Sequence, residues 1–124
     1  MANAVFTSSV SYTPGGGGSL TQGFRVAFEH SASVAGTIDV ASGSSTKVDI
    51  PFGSVGDVLG FVLQNNTDSE VDVEVGGNSV CKIAAGGVIL QFVPKKSTKS
   101  LTAVKATPSA PTKAGTIDFI VLGN

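Results

Sequence analysis

A chain of 124 residues and 12.4 kDa has the length of one domain. Its 14% charged residues fall well below the roughly 25% of an average soluble protein, while 41% hydrophobic residues exclude an intrinsically disordered chain. One Cys excludes an internal disulfide and one His excludes a cluster of imidazole ligands within a chain, and a net charge of −1 with a single Arg argues against a nucleic-acid surface.

The first segment, residues 1–19, reads as an N-terminal arm or first strand followed by a Gly-rich loop, with a sandwich domain over residues 20–124. Val5, Phe6, Val10 and Tyr12 precede the tetraglycine Gly15–Gly18. Such an arm can pair with its own domain or add a strand to a neighbour. The glycines lack the Lys and Ser/Thr of a phosphate loop, and no helical pattern follows them. They make either a hinge behind the arm or a loose hairpin loop. The opening residues lack a basic region followed by an apolar run, so no signal peptide is expected. No apolar run is long enough for a helical membrane span. The expectation is synthesis and folding in a cytoplasm, where Cys81 stays reduced.

Beyond the arm the hydrophobic period is two. Phe24, Val26 and Phe28 alternate with polar or small residues, as do Val34, Ile38 and Val40, then Val48, Ile50 and Phe52, then Val71, Val73 and Val75. Each predicts a half-buried antiparallel strand. Val, Ile and Thr together number 34 (17, 6 and 11), which favours strands over helices. Gly76-Gly77-Asn78 and Ala85-Gly86-Gly87 predict tight connections, and Asn65-Asn66-Thr67-Asp68 predicts a turn. Three segments are apolar on both faces: Val58–Leu63, Val88–Val93 and Ile117–Leu122. Either they lie in the middle of a sandwich or a second subunit covers their outer face. A small domain has few places to hide three such strands, so Ile89, Ile120 and Leu122 join Val5, Phe6 and Tyr12 as candidate self-association contacts. The fold class is all-β, a single antiparallel β-sandwich or jelly-roll-like domain with an extended N-terminal arm. Phe28, Ile38, Ile50, Phe61, Leu63, Val73, Leu90, Phe92 and Phe119 are the expected core.

The pattern holds no catalytic set. His30 follows the Phe24–Phe28 strand, and the chain contains no Gly-x-Ser-x-Gly elbow. Cys81 alternates with Val80 and Lys82, as a structural thiol does; a nucleophile would need His30 as its base. Glu70, Asp72 and Glu74 share one face of a strand, roughly 6.5–7 Å apart in succession. That spacing suits a solvated acidic face, with a calcium site that adds Asp68 or Asn66 as the lesser reading. Asn65-Asn66-Thr67 matches the N-glycosylation triplet, a match expected by chance. No catalytic, cofactor-binding or metal residue is therefore assigned, and no cofactor. Charge is uneven: residues 1–75 carry two basic and eight acidic side chains, and residues 76–124 carry six Lys against Asp118. Two solvated surfaces explain this, or a surface that meets an oppositely charged copy of itself.

The second half supplies FVLQNNTDSEVDVEVGG, then KIAAGGVILQFVP, then LTAVKATPSAPTKAGTIDFIVLGN. This succession resembles the small β-sandwich virion proteins of tailed bacteriophages. They share an Asn-rich turn after a strand, an alternating Val strand, an "xIxAGGxxL" turn-and-strand, "LxAVxA" and a C-terminal "GxIxFxVLG" strand. The resemblance covers residues 57–124. It implies a non-enzymatic structural role in a phage particle, as a capsid decoration or head-surface protein, with a tail or neck component as the alternative within that class. The implied partners are the chain itself, as a homo-oligomer with a trimer as one option, and the major capsid or other virion proteins. Neither nucleic acid nor membrane is implied. A glycan- or receptor-binding sandwich is the competing class, but sugar platforms favour Trp and Tyr, and Tyr12 is the chain's one such residue.

Overall fold

Period-two alternation folds into ten strands, and the described residues contain no helix. The computed structural model describes residues 2–12, 15, 17–18, 20–92 and 103–124; within the first two strands it describes the side chains of Val5, Thr7, Thr21, Arg25 and His30. The expected core residues Phe28 and Phe92 have side chains outside that set.

Strands β1 (Ala2–Tyr12) and β2 (Leu20–His30) form a two-stranded antiparallel ribbon, in register from Ala2 opposite His30 to Tyr12 opposite Leu20. Residues 13–19 join them in the sequence, and β2 carries the ribbon on to His30.

The remaining strands are β3 (Ala32–Val40), β4 (Val48–Asp49), β5 (Val58–Asn66), β6 (Val71–Val75), β7 (Asn78–Ile83), β8 (Val88–Phe92), β9 (Val104–Pro108) and β10 (Gly115–Gly123). One sheet has the order β3-β10-β5-β8 and the other β4-β9-β6-β7, with every pairing antiparallel. From β3 to β10 the chain changes sheet at each connection except the β6–β7 hairpin. That wrapping is the order of an eight-stranded jelly roll. It buries one face of each sheet against the other, and alternate residues point inward.

Phe61, Leu63, Val71, Val73, Val104, Ile117 and Val121 are fully buried between the sheets. Ile50 and Phe119 join them, and Ile38 packs partly buried against them. β5 is an interior strand, paired with β10 on one side and β8 on the other. Leu90, expected in the core, is instead 36% exposed. Its neighbour Ile89 takes the inward position opposite Leu63, and in an all-apolar strand composition carries no parity to tell the two apart.

Two features pin the open ends of the sandwich. Asn65 is a fully buried polar residue at the end of β5. Its Nδ2 donates to the carbonyls of Ser69 (2.7 Å), Ile83 (3.0 Å) and Ala84 (3.2 Å). Its Oδ1 accepts from the Thr67 N–H (3.0 Å) and the Thr67 hydroxyl (2.6 Å). One side chain thus ties the β5–β6 turn to the β7–β8 turn. The carboxamide of the glycosylation triplet is therefore buried and fully engaged.

At the opposite end, Asn124 N–H donates to the Asp57 carbonyl (2.9 Å), and Gly56 and Asp57 N–H donate to the Asn124 carbonyl (2.9 and 2.8 Å). This brings two backbones together at Gly123, where an added Cβ would run into the Asp57 carbonyl oxygen and lie 2.8 Å from Val55 Cγ1. Gly123→Ala is expected to cost about 3 kcal/mol, the upper part of the overpacking range, read from urea unfolding. A loss near zero would mean that the β10 end moves away from Asp57 without penalty.

Candidate interaction surface

The outer faces of the two sheets differ in chemistry. Outside the β4-β9-β6-β7 sheet, register sets Asp72 opposite Lys82 and Glu74 opposite Lys105. Lys47 pairs with Glu74 at 2.9 Å, Lys105 with Asp49 at 3.6 Å and Lys82 with Glu70 at 4.0 Å. Asp72 accepts a hydrogen bond of 2.6 Å from the Ser79 hydroxyl. Glu70, Asp72 and Glu74 therefore each have their own partner. Among the described residues no three His, Cys, Asp or Glu side chains gather closely enough to hold a metal ion. Such exposed pairs add little stability each, but they leave this face wet and electrostatically satisfied. Two of them, Lys82–Glu70 and Lys105–Asp49, join the positive half of the sequence to the negative half, so part of the charge asymmetry is matched inside one molecule.

Cys81 lies on β7 opposite Val73, half-buried and packed against the core. Burial pushes its thiol above the ordinary range, and the Asp72 carboxylate adds to the shift. Both effects disfavour the thiolate, so the site is the reverse of an activated nucleophile. His30 closes the β1–β2 ribbon, at the strand position opposite Ala2.

Outside the β3-β10-β5-β8 sheet the register lines up Ala35, Ile120, Val62 and Leu90 in one row across all four strands. At about 4.8 Å per strand spacing the row is roughly 14 Å long. Ile120 is 43% exposed and Leu90 36% exposed; Val88, one step along β8, is 55% exposed. Leu122 lies beside this row, half-buried, with Ser33 and Gly60 as its partners across the strands. The other end of the same face is polar and bonded to itself. Asp118 accepts from the Thr37 hydroxyl at 2.9 Å and from Asn66 Nδ2 at 2.8 Å. One sheet thus carries a dry end and a wet end on its outer face.

The sequence-derived candidates fall in three places. Ile120 and Leu122 belong to the apolar outer face. Ile89 does not, because it packs inward, and Val88 and Leu90 hold the outward positions on β8. Val88 and Leu90 were the residues that sequence reasoning missed; the register of β8 against β5, which no single-strand pattern contains, is what identifies them. Val5 is 53% exposed on the ribbon, opposite Ala27. Phe6 and Tyr12 occupy ribbon positions opposite Val26 and Leu20, and their side chains lie outside the described residues.

The ribbon is the second notable surface. Among the described residues its two strands pair only with each other. Its base is held to the body by Ser31, whose N–H donates to the Gly123 carbonyl (3.0 Å) and whose hydroxyl donates to Asn124 Oδ1 (3.1 Å). Val5, Thr7, Thr21 and Arg25, all exposed, occupy one face. By alternation, Phe6, Phe24, Val26 and Phe28 occupy positions on the other. Two-stranded ribbons are marginal in water unless packed against something. No protein-family model matches the chain, and no curated protein does.

Proposed function

We propose that the protein is a non-enzymatic structural component of a bacteriophage particle, a capsid decoration or head-surface protein that acts by self-association and by binding the particle. The observation that carries the reading is the open apolar row Ala35–Ile120–Val62–Leu90 on one outer face, beside an opposite face whose charges are paired. An apolar row spanning a sheet is removed from water when a partner covers it, at roughly 25 cal/mol per Å². The ribbon, which needs packing to be stable, adds a second contact element. The resemblance over residues 57–124 supplies the virion context. The jelly-roll order supports it by analogy only, since viral capsid domains use that fold and so do lectins.

The test is co-sedimentation of the purified chain with assembled capsids from the phage genome that encodes it, alongside a chain lacking residues 2–30. The full chain is expected to pellet with capsids. The shortened chain is expected to keep a β-type circular dichroism spectrum and to bind at least tenfold more weakly. A full chain that stays in the supernatant, or that pellets equally well without its ribbon, contradicts the reading.

A further inference from the structure

We infer that β3 is an assembly edge, which pairs antiparallel with β3 of a second copy of this chain about a two-fold axis at Gly36. The inference rests on the self-association proposed above and adds a second contact to the apolar outer row.

A strand at a sheet edge presents unpaired N–H and C=O groups, and natural chains blunt such edges with charge, proline, bulges or shortness. Among the described residues, three of the four sandwich edges are blunted. β4 is two residues long. β7 carries Lys82 and shifts register against β6 between Val73 and Glu74. β8 is five residues long. β3 is different. It has nine residues, no proline and no shift against β10, and its one charge is Asp39, next to its end. Ser33, Ala35, Gly36, Thr37 and Asp39 are all exposed.

The sequence of β3 complements itself. An antiparallel pair centred on Gly36 uses all nine residues: Ala32 with Val40, Ser33 with Asp39, Val34 with Ile38, and Ala35 with Thr37. No charge faces a like charge, and each Asp39 carboxylate meets a Ser33 hydroxyl. Val34 and Ile38 pack half-buried against the core at the open edge, and the pairing covers each with the other. At the axis, a Cβ on Gly36 would lie 2.9 Å from Phe119 Cζ, so the aromatic ring fills the space under the strand that a side chain would need. In the resulting eight-stranded sheet each apolar row ends at Ala35 opposite Thr37 of the other copy, so the two rows lie staggered by one step on the same outer face.

The direct test is a cross-link. In a Cys81→Ser background, Ala35→Cys with Thr37→Cys places thiols opposite each other in the paired copies. Within one strand the Cβ atoms of the same two positions stand about 6.5–7 Å apart, beyond the roughly 3.5–4.5 Å that a disulfide needs. Oxidised glutathione is expected to convert most of the chain to a covalent dimer on a non-reducing gel. As a second variant, Thr37→Lys blunts the edge at an exposed position outside the apolar row, and is expected to weaken association at least tenfold by sedimentation with an unchanged circular dichroism spectrum. An oligomer that gives no covalent dimer overturns the β3 pairing while leaving self-association in place. A chain that is monomeric throughout overturns both.

Discussion

Asn65→Ala is expected to cost about 3–5 kcal/mol, one of the largest losses available to a single substitution in this chain. Few side chains here are both polar and fully buried, and this one makes five hydrogen bonds. Truncation leaves the Thr67 N–H without its side-chain acceptor, and the Ile83 and Ala84 carbonyls without the amide. A buried polar group left unsatisfied costs about 1–3 kcal/mol, and several are exposed to that penalty at once. The bonds also link two turns that each cross from one sheet to the other, so their loss loosens the layers at this end. Backbone bonds at the same place, Asn65 N–H to the Gly87 carbonyl (2.9 Å) and Gly86 N–H to the Asn65 carbonyl (2.8 Å), would remain. Asn65→Asp is expected to be worse, because it sets a carboxylate against three carbonyl oxygens in a desolvated site. Urea unfolding at 25 °C measures both. A loss below about 1 kcal/mol for Asn65→Ala would show that water replaces the amide, and that the turns are held by backbone bonds alone.

Leu90→Asp and Ile120→Asp are expected to leave the fold intact and to weaken self-association by about 100-fold or more. Both side chains are substantially exposed in the single chain, so a carboxylate there remains hydrated in the monomer. In an assembled state the same carboxylate would be desolvated without a partner. A penalty of about 3 kcal/mol, the low end for an unpaired buried charge, corresponds to roughly two powers of ten in affinity. Val80→Asp is the control. Val80 is 53% exposed but sits on β7, in the sheet whose outer face carries the ion pairs. It is expected to change association by less than a factor of three. Equal effects at Val80 and Leu90 would mean that added negative charge, and not the apolar row, governs assembly.

Much of the fold was legible because period two is a local signal. The alternation around Val71, Val73 and Val75 names its inward residues directly, and Val71 and Val73 are buried. The turns at Gly76-Gly77 and Gly86 were legible for a similar reason, since both sites take the positive φ that glycine tolerates (61° and 87°, then 76°). Connectivity was not legible. Alternation states which face of a strand is apolar, but not which strand lies beside it, so the jelly-roll order emerges only from register. The same limit explains Leu90. In Val88-Ile89-Leu90 every residue is apolar, and the pairing with β5 decides that Ile89 turns inward. It explains the arm as well: Phe24–Phe28 looks like any other half-buried strand, and only its pairing with β1 removes it from the sandwich. Asn65 was read as a turn residue. Its role as a buried clasp depends on carbonyls 18 and 19 positions away, which no local pattern contains.

The most direct measurement of the central claim is sedimentation equilibrium of the wild-type chain at micromolar concentration, beside Leu90→Asp and Val80→Asp under the same conditions. The apolar outer face predicts the same oligomer for the wild type and for Val80→Asp, and for Leu90→Asp a species no larger than the β3-paired dimer. A wild-type chain that remains monomeric, or a Leu90→Asp chain that assembles as well as the wild type, would contradict it.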